Sequence, residues 1–138
     1  MFRPCIDVKD LKVVQLEQGE RLALTDERSP AELARIYAQD GLTGGHIIDL
    51  QGGPNREVIL PALQYHNLQV GGGVRLDNGQ AYLDAGATHL IFASAVFGRE
   101  GIDWKQLAKL EQRFGRQRLV LAPDVRGRSI HVSQWKVD

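Results

Sequence analysis

The sequence predicts an α/β fold of about four βα units followed by a fifth strand and a hairpin, which is half of a (β/α)8 barrel, and three observations carry this. Short apolar runs alternate with segments of helical period along the 138 residues. Glycines cluster where such units turn, at Gly44-Gly45, Gly52-Gly53 and Gly71-Gly72-Gly73. The segment around Asp124 repeats the one around Asp7. Residues 1–138 read as one domain, long enough to bury one core.

Phe2 to Val8 reads as the first strand, and Lys12 to Leu16 as an extended piece in the long loop after it. Ser29-Pro30-Ala31-Glu32 has a capping serine, a proline at the first helical position and a glutamate three residues after the cap. A helix therefore starts there, with Leu33, Ile36 and Tyr37 on one face. His46 to Leu50 is a buried strand, and Asn55 to His66 a helix that must accommodate Pro61. Leu68-Gln69-Val70 is a short strand running into the glycine triplet, and Asp77 to Ala85 a short helix closed by Gly86. Thr88 to Ala93 is the next strand, and Ile102 to Phe114 an amphipathic helix stopped by Gly115. Leu119 to Val125 is the fifth strand, where Pro123 removes a ladder donor and points to an edge. Arg128 to Trp135 alternates like a hairpin arm.

The repeat sets the frame for function. Asp7-Val8-Lys9 followed by Val13-Val14-Gln15 matches Asp124-Val125-Arg126 followed by Ile130-His131-Val132, at an offset of 117 residues. Four βα units then make one repeat. Eight would close a barrel, whereas four and a fraction leave parallel edges that invite pairing.

Charge and motifs narrow the function classes. Lys+Arg and Asp+Glu are both 17, so no overall field favours nucleic acid or an anionic membrane, and any anion site must be local. Cys5 is the single cysteine, no 18-residue apolar run occurs and no leader pattern is present, so a cytoplasmic protein is expected. The four histidines include no pair at i, i+4, and no metal is expected. There is no Gly-x-x-x-x-Gly-Lys-Ser/Thr, and no Gly-x-Gly-x-x-Gly follows the first strand, so nucleotide-binding folds drop out.

The candidate chemistry lies at strand ends. Asp7, Asp49 and Asp124 each end an apolar run, where a barrel places its reacting groups. Each either caps the next turn or serves as acid or base, and the repeat sets Asp7 and Asp124 on opposite sides of a complete barrel. Gly71 to Gly73 would either aim N–H groups at an anion with a helix dipole behind them, or form a tight turn that tolerates positive φ. Ala93-Ser94-Ala95 at the neighbouring strand end could complete such a cradle. Arg75 and Arg126 could hold phosphate or pair with a carboxylate, and Trp135 could stack on a heterocycle or cover the open sheet. Cys5 reads as packing in a strand.

Phe2-Arg3-Pro4-Cys5-Ile6-Asp7, Asp40-Gly41-Leu42-Thr43-Gly44-Gly45-His46 and Leu68-Gln69-Val70-Gly71-Gly72-Gly73 resemble the phosphoribosylformimino-aminoimidazole carboxamide ribotide isomerases of histidine biosynthesis. The resemblance runs the length of the chain and covers about the first half of a family member. It implies a TIM barrel of two homologous halves and an Amadori rearrangement of an aminoaldose to an aminoketose, without a cofactor. It implies Asp7 as general base at the sugar carbon and Asp124 as general acid in ring opening. By the same resemblance the Gly71 to Gly73 turn, through Gly72 and Gly73, and Ser94 hold one phosphate of a phosphorylated sugar, and Trp135 lies over the substrate. The family usually has glycine where Leu11 stands and often arginine where Gln15 stands, and its second phosphate site has no counterpart here. A homo-oligomer or a partner half-barrel is therefore expected. Two alternatives remain: the cyclase subunit of imidazole glycerol phosphate synthase, similar over residues 4 to 10, and a non-catalytic phosphate-binding half-barrel that self-assembles.

Overall fold

The computed structural model describes residues 2–17 and 21–131. In chain order, β1 (Cys5–Lys9), β2 (Lys12–Glu17) and β3 (Arg21–Asp26) precede α1 (Pro30–Gln39), and β4 (His46–Asp49) precedes α2 (Arg56–Ala62). Then come β5 (Gln69–Gly71), α3 (Gly79–Ala85) and β6 (Leu90–Phe92), a small hairpin of β7 (Phe97–Gly98) and β8 (Gly101–Ile102), and α4 (Trp104–Phe114). A 3-10 turn leads into β9 (Leu119–Leu121), followed by β10 (Asp124–Arg126) and β11 (Ser129–His131).

The main sheet runs β3-β2-β1-β4-β5-β6-β9, and the five strands from β1 through β9 are mutually parallel. This is the strand order of an opened (β/α)8 barrel, with each parallel strand added beside the previous one. Ile6, Val8, Ile47, Val70, Leu90 and Phe92 form one face and pack against Leu33 and Ala34 of α1, Ile59 of α2, Tyr82 of α3, and Leu110 and Phe114 of α4. The helices therefore cover that face. On the other face Ile48, Ile91 and Val120 are only half-buried. A Cβ at Gly71 would stand 3.0 Å from both Ile48 Cδ1 and Ile91 Cβ, so the two isoleucines close over that glycine.

Local chemistry explains the helix ends. Ser29 Oγ accepts from Glu32 N at 3.1 Å and Glu32 Oε2 accepts from Ser29 N at 2.7 Å, completing the expected capping box. Gly86 closes α3 at φ 117 and Gly115 closes α4 at φ 86, conformations costly for a side chain. Pro61 falls inside α2, which ends one residue later, four residues short of the expected His66.

The structure also departs from the expectations in three places. β3 pairs antiparallel with β2 and β7 pairs with β8, neither of which was expected. The fifth strand is broken at Ala122-Pro123, so β9 alone joins the main sheet and β10 starts a separate hairpin with β11. Proline, with no N–H to give, ends the ladder there. α3 begins at Gly79, not Asp77, because Asn78 spends its side chain on the preceding turn, accepting from Arg75 N and donating to Gly73 O.

The repeat appears as matching registers. Asp7 pairs with Val14, Val8 with Val13 and Lys9 with Lys12; Asp124 pairs with His131, Val125 with Ile130 and Arg126 with Ser129. Every position is displaced by the same 117 residues. No helix among the described residues is long and apolar enough to cross a membrane.

Gly79 tests whether packing outweighs propensity. A Cβ there would lie 2.6 Å from Phe114 Cζ and 2.9 Å from Leu90 Cδ1. Helix propensity alone would make Gly79→Ala stabilising by up to about 1 kcal/mol. Crowding against two core residues is expected to reverse the sign, to a loss of about 1–3 kcal/mol in urea unfolding.

Candidate functional site

Asp7, the β4–α2 loop, the Gly72-Gly73 turn and Ser94 follow one another along the C-terminal ends of β1, β4, β5 and β6. Ile6 and Val8 bury their side chains on the helical face, so alternation puts Asp7 on the open face, where it is partly buried. Its Oδ1 accepts from the Cys5 thiol at 3.2 Å. Although Cys5 is exposed overall, desolvation of the sulfur and then the neighbouring Asp7 carboxylate push the thiol up to about 12. At neutral pH it is a protonated donor, unsuited to nucleophilic attack.

Asp49 pairs in register with Val8 and lies on the helical face, 2% exposed. Its Oδ1 accepts from Gln51 N at 2.9 Å and Asn55 Nδ2 at 2.7 Å, and its Oδ2 from Gly53 N and Asn55 N, both at 2.9 Å. This geometry organises the turn through a carboxylate fully supplied with donors. From there the network crosses to the β1–β2 turn. Asn55 Oδ1 accepts from Leu11 N at 2.7 Å, Gln51 Oε1 accepts from Asp10 N at 2.8 Å, and Gln51 Nε2 donates to Asp10 Oδ1 at 2.9 Å.

Asp10 and Leu11 both hold positive φ, 50° and 64°, as a two-residue hairpin turn of the primed type requires. Left-handed backbone at leucine is costly, and the two side-chain clamps hold it there. Gln51 and Asn55 were not singled out as site residues by the sequence. The available signal was Asp49-Leu50-Gln51 and Asn55 in a glycine-bearing turn, a pattern in which aspartate and asparagine bond local backbone.

The glycine turn is pressed against this loop. A Cβ at Gly72 would collide with the Asp49 backbone, and one at Gly73 with that of Gly52. Both glycines also hold positive φ, 89° and 74°. Close backbone approach here therefore serves loop-to-loop packing, whatever else the turn binds. Arg75 is exposed and engages its own turn, donating to Asp77 Oδ1 at 3.2 Å and Gly73 O at 3.3 Å. Ser94 is exposed in the turn after β6. Asp124 is exposed on β10, outside the main sheet, and Trp135 lies outside the described residues.

The family described as Histidine biosynthesis protein matches residues 1–138. A chloroplastic 1-(5-phosphoribosyl)-5-((5-phosphoribosylamino)methylideneamino)imidazole-4-carboxamide isomerase from Medicago truncatula is 39% identical over 135 residues, which is 87% of this chain and 43% of the relative. Isomerases of the same name from Bifidobacterium adolescentis and Candida albicans are 33% and 31% identical, over 96% and 87% of this chain and 56% and 51% of their own lengths. The chain thus spans about half the length of the curated relatives it matches.

Two outcomes test this geometry. Removing the carboxylate in Asp49→Ala strands four donors, three of them backbone N–H groups, and is expected to cost about 3 kcal/mol or more in urea unfolding. With its thiol near 12 against an ordinary 9.0, native Cys5 should carry about a thousandfold less thiolate at pH 8 than in the unfolded chain. Its alkylation by iodoacetamide should be slowed accordingly, and Asp7→Asn should speed it by removing the neighbouring charge.

Proposed function

The chain belongs to the histidine biosynthesis protein family, and from that premise we propose that it supplies, as one domain, the N-terminal half of an aldose–ketose isomerase. The reaction is the Amadori rearrangement of a phosphoribosylformimino-aminoimidazole carboxamide ribotide, carried out in the cytoplasm and without a cofactor. The observation that carries the reading is the duplicated hairpin, which sets Asp7 and Asp124 at the same register 117 residues apart. Two carboxylates in equivalent positions of two homologous half-barrels face one another across the barrel mouth once it closes.

In this reading Asp124 delivers a proton to the sugar ring oxygen as the ring carbon–oxygen bond breaks and the nitrogen lone pair forms a C=N bond, leaving a protonated imine. Asp7 then takes the proton from the adjacent sugar carbon, and the electron pair moves to give the enolamine that tautomerises to the aminoketose. The Cys5 thiol occupies Asp7 Oδ1, which leaves Oδ2 for the transferred proton. Gly72, Gly73 and Ser94 would receive one substrate phosphate, with Arg75 beside them and Trp135 over the heterocycle. Asp49 would support this rim without touching substrate.

Association completes the site. β9 stands at the edge of the main sheet, Ile48, Ile91 and Val120 are only half-covered, and Asp124 lies on a hairpin apart from the sheet. A second half-barrel, from another copy or another chain, would cover these and supply the other phosphate clamp.

The test is light scattering paired with an isomerisation assay on the wild type and Asp7→Asn. An associated species with turnover, reduced about 10²- to 10⁴-fold in kcat by Asp7→Asn, is the expected result. Turnover indifferent to Asp7→Asn would remove the base assignment. An assembly that binds a phosphorylated sugar without turnover would favour the non-catalytic half-barrel.

A further inference from the structure

The opposite end of the sheet carries a cavity that none of the chemistry above uses. It measures about 290 Å³ and opens at the N-terminal ends of β1, β4, β5 and β6, between Arg3, Gly44, Asn67, Gln69, Thr88 and His89. That volume is at the lower limit of small-ligand sites, about 300 Å³. Its lining contains arginine, histidine, amide and hydroxyl groups, and no acidic residue. Glycine at 44 and 45 keeps it open: the Arg3 side chain lies against Gly44, with Nε 3.8 Å from where a Cβ would stand, and a Cβ at Gly45 would reach to 2.6 Å of Pro4 O.

Arg3 forms no ion pair among the described residues, whose salt bridges join Arg28 to Asp26, Arg75 to Asp77 and Arg116 to Glu111. A second guanidinium reaches the rim, since Arg118 Nη1 donates to Thr88 O at 2.9 Å. His89 Nδ1 and Thr88 Oγ1 are joined at 3.0 Å, which fixes the imidazole at the cavity wall. In a chain of zero formal net charge, the lining joins the Arg3 guanidinium with an imidazole, amides and a hydroxyl in one concave place, with no carboxylate among them.

We propose that this cavity is an oxyanion site, with Arg3 as its principal charge and His89, Asn67, Gln69 and Thr88 as hydrogen-bonding walls. The guanidinium fork matches two oxygens of a phosphate or carboxylate, and the surrounding amides supply further donors. The site is independent of the isomerase reading, because it occupies the end of the sheet opposite Asp7. The oxyanion arrives either as a free small anion or as an acidic side chain of a second chain seated on the same rim.

The experiment is a titration of the whole chain with inorganic phosphate, and separately with acetate, at constant ionic strength. It is followed by NMR of the His89 ring and the Arg3 Nε–H, with mass measured by light scattering at each point. Wild type, Arg3→Ala, Arg3→Lys and Ser94→Asp are compared; the last places a negative charge at the other candidate phosphate site. Saturable shifts at His89 and Arg3 are expected, weakened at least tenfold by Arg3→Ala, less by Arg3→Lys, and unchanged by Ser94→Asp. Constant mass during saturation identifies a free anion as the occupant, and a mass that falls as phosphate binds identifies a displaced side chain of a second copy. Shifts confined to Gly72, Gly73 and Ser94, or His89 shifts indifferent to Arg3→Ala, would overturn the proposal, and the former would still leave the phosphate site of the isomerase reading standing.

Discussion

Asp49 puts a carboxylate where almost no solvent reaches, and four N–H groups from Gln51, Gly53 and Asn55 replace the water it gives up. A buried charge so supplied has one low-energy arrangement, because each lost donor leaves a desolvated oxygen. The consequences spread outward in two directions. Asn55, itself fully buried, uses its remaining oxygen to hold Leu11 N, and Gln51 grips Asp10, so the β1–β2 turn keeps a backbone that leucine resists. On the other side the Asp49 and Gly52 backbones leave room only for glycine at 72 and 73. The rim from β1 to β5 is therefore one braced surface, and rigid support of this kind is what the general base proposed at Asp7 would need.

Much of this architecture was legible before any coordinates. Ser29 to Glu32 signalled a helix start through two reciprocal hydrogen bonds that involve only four neighbouring residues, and local signals of that kind survive folding unchanged. The duplicated Asp-Val-Lys and Asp-Val-Arg segments were equally visible as a repeat, whereas Lys12 to Leu16 read as an extended piece of a loop and its hairpin register with β1 emerges only in the fold. β3 was not visible: Arg21-Leu22-Ala23-Leu24 is rich in helix formers, and its extended form comes from pairing with β2. The role of Asn55 was hidden for a related reason. Its partners are 6 and 44 residues away in sequence, and only the folded loop brings Asp49 and Leu11 to the same amide.

The two ends of the sheet divide the labour that a neutral chain cannot perform globally. At the C-terminal edge the groups on offer are carboxylates, glycine backbone and a hydroxyl, with Arg75 turned back on its own loop through Asp77 and Gly73. At the N-terminal edge the cavity is lined by Arg3 and His89 with no acid among its walls. With 17 basic and 17 acidic residues cancelling overall, what each edge can hold is decided by the groups gathered there.

The duplicated hairpin also constrains how a closed barrel could be assembled. In a two-fold barrel, β10 and β11 stand in one half where β1 and β2 stand in the other, since the registers coincide after the 117-residue shift. Two identical copies would therefore bring two hairpins to one place: the β10–β11 pair of one chain and the β1–β2 pair of its neighbour. The β1–β2 pair is bound into a seven-stranded sheet with β3 on one side and β4 on the other, whereas β10–β11 is a two-stranded sheet on its own. An isolated hairpin is marginal in water, so β10–β11 would be the one displaced. Asp124 would then leave the mouth, and the partner's Asp7 would take its position. A homodimer would oppose two copies of one aspartate, with the partner's Asp7 in the general-acid role that Asp124 fills otherwise, while a partner that begins beyond the fifth strand would preserve the Asp7 and Asp124 pair. The identity of the facing carboxylate thus follows from which half-barrel docks.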